Sequence, residues 1–148
     1  MTAAGPPDAE ARTPSVLFVC ARNGGKSPMA EGLMRDLVEA AGNRVDVASA
    51  GTDPGTAPNA LSVQVLAEVG VDIAGHVPRR LTPELVAGAD RVVVLGREAQ
   101  VDGAGTRVET WETDEPSVRG IEGIERMRLV RDDIAARVRR LAHELGID

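Results

Sequence analysis

Cys20 is the only cysteine of the chain and Lys26 its only lysine, and six positions separate them in Val16-Leu17-Phe18-Val19-Cys20-Ala21-Arg22-Asn23-Gly24-Gly25-Lys26-Ser27-Pro28. An apolar strand runs here into a glycine-bearing loop that opens a helix. The first turn of a helix leaves its amide donors unpaired and its dipole positive, so such a loop gathers N–H groups around an anion. A cysteine at its mouth, beside a cation, is expected to have a lowered pKa and to act as a nucleophile toward a bound oxyanion. A lone cysteine ordinarily packs as a small apolar group. The apolar run, two glycines, a lysine, a serine and a helix-starting proline together move the reading to chemistry.

Gly25-Lys26-Ser27 also ends a nucleotide-binding loop of the form G-x-x-x-x-G-K-[ST]. Cys20 stands where that loop has its first glycine, and the apolar run Val92–Leu95 closes on Gly96 rather than on a magnesium-holding acid. A nucleoside triphosphatase is therefore the weaker reading.

Four apolar stretches and three helical ones position the loop. Ser15 to Val19 reads as a strand buried on both faces. Pro28 to about Ala41 reads as a helix with Met29, Leu33, Met34, Leu37 and Val38 on one face, Ser27 as its N-cap, Pro28 at its first position, Glu31 in its first turn and Gly42 at its end. Val45–Ala50, Arg91–Leu95 and Val108–Trp111 read as further strands, with helices over Asn59 to about Val69 and Glu122 to Leu145. Strands alternating with helices imply right-handed crossovers and a parallel sheet covered on both faces, an α/β fold with ligands at the carboxyl ends of the strands, where Cys20 lies. Residues 1–14, rich in Ala, Pro and acids without apolar periodicity, read as a disordered arm ahead of a single domain over 15–148.

The spacing of Cys20, the cation at position 26 and Ser27 resembles the low-molecular-weight tyrosine phosphatase superfamily, which includes the cysteine-dependent arsenate reductases. Ser49-Ala50-Gly51-Thr52, Gly75-His76, Arg79-Arg80-Leu81-Thr82, Trp111 ahead of the acidic turn at Pro116, and Arg128 to Ile134 agree in order and spacing. The resemblance implies a three-layer α/β/α sandwich on a four-stranded parallel sheet. It implies an oxyanion cradle of Ala21, Arg22, Asn23, Gly24, Gly25, Lys26 and Ser27, Asn23 as its support, and a general acid ahead of the proline, which here is Glu115 or its neighbour Asp114. The superfamily's usual arginine grips two oxygens of a tetrahedral anion in a planar fork, where Lys26 offers a point charge. Asn23-Gly24-Gly25-Lys26-Ser27-Pro28, Asp114-Glu115-Pro116-Ser117 and Arg119–Gly123 look most like the mycothiol-dependent arsenate reductases of actinobacteria. That likeness implies arsenate as substrate with phosphate as its analogue, mycothiol as co-substrate, a mycoredoxin-like redoxin as partner and no bound cofactor.

The residues keep several alternatives open. Ser27 can donate to the Cys20 sulfur or cap the helix, and Arg22 can face the anion or solvent. Arg79 and Arg80 can draw in an anionic substrate or stand as a solvated pair, the stronger of the two readings, and His76 and His143 stand without ligand spacing, so no metal is expected. Reducing As(V) to As(III) takes two electrons, and a chain with one cysteine needs a thiol from elsewhere, whereas a phosphatase needs only water. A tyrosine phosphatase and a non-catalytic oxyanion binder remain as alternatives.

Composition sets the surroundings. The 148 residues are 43% hydrophobic but only 1% aromatic, which leaves the core to Val, Leu, Ile, Ala and Met. A net charge of −6 argues against nucleic acid or an acidic membrane surface as partner. A single free thiol, with no leader-like or membrane-length apolar run, suits a cytoplasmic enzyme.

Overall fold

The computed structural model describes residues 13–103 and 107–147, so all but the last two residues of the expected arm lie outside the described residues. The Pro14 carbonyl accepts from the Asp46 amide at 2.8 Å. Four strands, β1 (Ser15–Cys20), β2 (Asp46–Gly51), β3 (Arg91–Leu95) and β4 (Arg107–Trp111), form one sheet in the order β2-β1-β3-β4. Every pairing is parallel, with Leu17 opposite Ala48 and Val92, and Leu95 opposite Trp111.

The alternation of a strand divides the core in two. Val16 and Phe18 of β1 and Val93 and Leu95 of β3 face one cluster, while Leu17, Val19, Val92 and Val94 face the other. The first cluster is covered by α1 (Lys26–Ala40), α2 (Ala60–Ala67) and α4 (Gly123–Glu144), the second by the short α3 (Pro83–Ala87) and the segments around Ala99 and Val101. In α4, Met127, Val130, Ile134, Val138 and Leu141 recur every three or four residues on the buried stripe. Both core aromatics meet beneath the site, with the Phe18 and Trp111 ring centroids 5.8 Å apart and tilted by 56°. No helix among the described residues is long and apolar enough to cross a membrane.

The α1 boundary differs from the sequence expectation. The helix begins at Lys26, Gly25 is its N-cap, and no side chain caps it. Ser27 and Pro28 are thus its second and third residues. Glu31 falls in the second turn, because the loop's amides, not a serine hydroxyl, mark the start. The far end follows the sequence: Gly42, at φ +70°, donates to Glu39 and lets Asn43 donate to Val38, which closes the last turn. Two short elements escaped the periodicity, α3 with its Thr82 cap and the 3-10 turn Pro116–Arg119, because neither spans enough residues to repeat a pattern.

A surface triad ties α2 to α4. Arg128 and Arg131 both reach Glu68, at 2.6 and 2.8 Å, and the Arg128 hydrogen bond leads in lowering the Glu68 pKa from 4.5 to about 2. A carboxyl held lower in the folded than in the unfolded protein stabilises above the unfolded pKa, and that contribution fades as pH falls through the folded value. Glu68→Gln is therefore expected to lower the melting temperature at pH 6–7 by an amount that shrinks as pH falls toward 2, as paired melts across that range will establish.

Candidate active site

The strand β1 ends at Cys20, 7% exposed, at the carboxyl edge of the sheet between its neighbours' ends. The chain then turns through Ala21–Gly25 into α1. Four of the turn's carbonyls point outward: Cys20, Ala21, Arg22 and Gly24 accept from the amides of Thr52, Asp53, Gly55 and Asn59 at 2.7–3.2 Å. Among the described residues no backbone carbonyl takes a bond from the amides of Ala21 to Ser27. Carbonyls engaged by residues 52–59 leave the loop's amides without backbone acceptors, the kind of donor set a tetrahedral oxyanion takes.

Asn23 holds that shape. It is the one non-glycine residue among those described with positive φ, at 52°, a conformation short amide side chains tolerate best. Fully buried, it donates through Nδ2 to Ser27 Oγ (2.8 Å) and Ser49 Oγ (2.9 Å), and accepts through Oδ1 from the Arg79 amide (3.0 Å). Ser49 in turn donates to Glu31 Oε1, whose second oxygen pairs with Arg35 at 2.7 Å. Ser27 Oγ accepts from Asn23 and lies 2.9 Å from Cys20 Sγ, a pair in which either atom can donate. Of the two uses of Ser27, its hydroxyl meets the sulfur and caps nothing.

Gly51 is the other requirement of the loop. A Cβ there would lie 2.6 Å from the Ala21 carbonyl oxygen and 3.0 Å from Asn23, so the strand end and the loop meet only if position 51 has no side chain. Asn23→Ala would leave the left-handed residue unsupported and the Ser27 and Ser49 hydroxyls one donor short. The expected outcome is a loss of about 1–3 kcal/mol of stability, with weaker phosphate binding, read by thermal melts and a phosphate titration.

Lys26, at the start of α1, bonds to Glu115 Oε1, and Arg126 of α4 stands 3.5 Å from Oε2. Burial pushes the Glu115 carboxyl up, but the Lys26 hydrogen bond and charge, with Arg126 behind them, outweigh it and hold the group below the usual carboxylate range. Gly96, at φ +92°, closes β3 beside this pair: a Cβ there would sit 3.7 Å from Lys26 Nζ. Asp114 is occupied elsewhere. Arg119 grips it with two nitrogens at 2.9 and 3.1 Å, which lowers its pKa, and its amide donates to Asp133. Of the two acids left open by the sequence, Glu115 is the one brought to the loop.

These geometries coincide with a known pattern. The model for "Low molecular weight phosphotyrosine protein phosphatase" matches residues 15–148. The chain belongs to the low-molecular-weight phosphotyrosine protein phosphatase family. Within this family it is similar to Arsenate reductase 1 of Staphylococcus epidermidis, 29% identical over 136 residues, 88% of this chain and 97% of that protein. Among solved structures of the family's fold it is similar to a YwlE mutant from Bacillus subtilis, 28% identical with a TM-score of 0.75 over 90% of this chain and 99% of that one. It is also similar to a thioredoxin-dependent arsenate reductase from Corynebacterium glutamicum, 28% identical with a TM-score of 0.70, matched over 93% of this chain and 64% of the other. The family's three-layer α/β architecture is the one described above.

Of the cradle residues read from the sequence, Ala21 to Gly25 form the turn and Lys26 and Ser27 open α1, and one side chain departs from that reading. Arg22 turns away, its guanidinium 2.9 Å from Asp53 with both side chains about seven-tenths exposed, so it gives the loop its backbone alone. Arg79 is no solvated bystander, since its Nε donates to the Ser49 carbonyl at 3.0 Å and its amide to Asn23. His76 also serves the loop, with Nε2 3.0 Å from the Asn23 carbonyl and 3.1 Å from its Oδ1. Two residues of the site carried no such signal: Glu31 reads from the sequence only as a first-turn acid, and Arg126 stands in no motif.

Proposed function

We propose that this family member reduces arsenate by thiol transfer: arsenate bound in the Cys20–Ser27 loop is condensed with an external low-molecular-weight thiol, mycothiol, and a mycoredoxin-like redoxin later releases arsenite. The observation that carries the reading is a nucleophile site built around the sole cysteine of the sequence, with no second thiol to form an internal disulfide. The electrons for As(V) then come from thiols supplied to it. Arsenate reductases among the relatives support the substrate.

In the first stage HAsO4²⁻ and RSH give RS–AsO3²⁻ and water, with Cys20 as the first nucleophile and the external thiol displacing it from arsenic. One As–O bond and one S–H bond break, one As–S bond persists, and no electrons are transferred. In the second, a redoxin thiol R′SH attacks the adduct sulfur to give RS–SR′ and HAsO3²⁻, so that two sulfurs are oxidised as arsenic is reduced. Glu115 is the proton carrier of the first stage. An arriving oxyanion competes for Lys26, and once the lysine turns to it, the burial already acting on Glu115 is less opposed and its pKa moves up, the direction a donor to departing hydroxide needs.

Phosphomonoester hydrolysis is the second reading, favoured by the family description. Two features weigh against an aryl ester. The sequence has no tyrosine, one phenylalanine and one tryptophan, and Phe18 and Trp111 are 0% and 7% exposed, which leaves no aromatic face to stack on a phenyl ring. Lys26 also lacks the fork that grips equatorial oxygens in pairs. Parallel assays decide between the readings: p-nitrophenyl phosphate without thiol is expected to be hydrolysed at most sluggishly, while arsenate with mycothiol turns over. The reverse ranking would establish a phosphatase.

A further inference from the structure

We propose that the groove beside Glu115 receives the non-reacting part of the external thiol and selects an uncharged, hydroxyl-rich head over an anionic one. The inference rests on the thiol-transfer reading and names the surface that reading leaves unspecified. The groove, about 380 Å³, runs from the end of β3 to the 3-10 turn, between Gly96, Arg97, Glu98, Glu112, Thr113 and Glu115, with Val118 at its rim and Arg97 the one cation in its lining. It meets the anion loop at Gly96. The place a Gly96 Cβ would take lies 3.7 Å from Lys26 Nζ and 2.9 Å from Glu98 Oε2, so the absence of a side chain keeps loop and groove continuous.

Its lining consists mainly of acceptors. Glu98 has no ion pair among the described residues, Glu112 is held by Arg97, and Glu115 leans to Lys26. Thr113 forms part of the lining, 8% exposed, with its Oγ1 enclosed. Ligand hydroxyls would donate to the carboxylates, whereas a thiol carrying carboxylates or phosphates would bring like charge against Glu98, the one carboxylate of the lining without a cation on it among the described residues. Val118, 85% exposed, supplies an apolar rim for a thiol's carbon chain.

The test is equilibrium dialysis of S-methyl mycothiol and S-methylglutathione against the full chain, with inorganic phosphate saturating the loop. S-methyl mycothiol is expected to bind at least about threefold more tightly, the scale of one exposed like-charge contact. Glu98→Lys, at an exposed position, should erase that preference, and Glu98→Gln should shrink it while leaving phosphate binding in place. Equal affinities, or a preference that Glu98→Lys does not move, would overturn the proposal. Turnover assays separate it from its premise. A mycothiol KM unmoved by both substitutions sinks the groove alone, while the binding preference without any arsenate turnover sinks thiol transfer alone.

Discussion

Cys20→Ser is expected to abolish arsenate turnover with every thiol, a fall of at least roughly 10⁴-fold, because a nucleophile's loss removes the covalent route and leaves only the binding loop. Oxyanion binding should survive. The cradle is built by the outward carbonyl bonds to residues 52–59, by Asn23 and by Lys26, none of which uses the sulfur. The Cys20 side chain touches the network at one point, Ser27 Oγ, and a serine there can still make that bond. Phosphate should thus bind the variant within a few-fold of the parent. Steady-state assays and a phosphate titration on the same preparation give both numbers. Retained turnover would remove Cys20 from the chemistry, and turnover and binding lost together would make it a structural residue.

Glu115→Gln should split binding from catalysis. In the structure Lys26, the only lysine of the loop, is engaged by Glu115, so an arriving anion must displace that carboxylate. An amide in its place is a neutral and weaker competitor, and phosphate should inhibit the variant at lower concentration than the parent. Chemistry should slow by about 10²–10⁴-fold, the usual loss with a positioned proton donor. Inhibition constants tightening while kcat falls would be hard to obtain from a merely structural residue, which would weaken both. The pH dependence has a sign as well. Glu115 is held below the usual carboxylate range, so the Lys26 pair persists through neutral pH and opens only as acid protonates the carboxyl. Phosphate affinity of the parent should therefore approach that of the variant at low pH, measured where phosphate charge is matched.

The loop was legible in the sequence because its parts are contiguous: an apolar strand, two glycines, a cation and a proline within thirteen residues leave few foldings. The sheet was legible for a similar reason, since β1 and β3 are short all-apolar runs bounded by turns. The supporting residues were hidden by distance in the chain. Ser49, His76 and Arg79 converge on Asn23 from three segments and Glu31 joins through Ser49, and no local pattern marks a residue whose partner lies 18 to 56 positions away. Ser27 misled because serine before proline at a helix start has a common use as a cap, and the competing use depends on where Cys20 Sγ sits. Asp114 and Glu115, adjacent in sequence, parted only when their cations were known, Arg119 for one and Lys26 with Arg126 for the other.

The central claim is that an external thiol takes arsenic from the Cys20 loop before any reductase acts. The most direct measurement is the loss of mycothiol thiol groups per arsenate consumed, followed with purified protein and no redoxin present, with the adduct identified by mass. Thiol transfer predicts saturable, arsenate-dependent loss of one thiol per arsenate, with an adduct containing both, and no loss with Cys20→Ser. No adduct, with release of phosphate from esters in the absence of any thiol, would contradict it and make the protein a phosphatase.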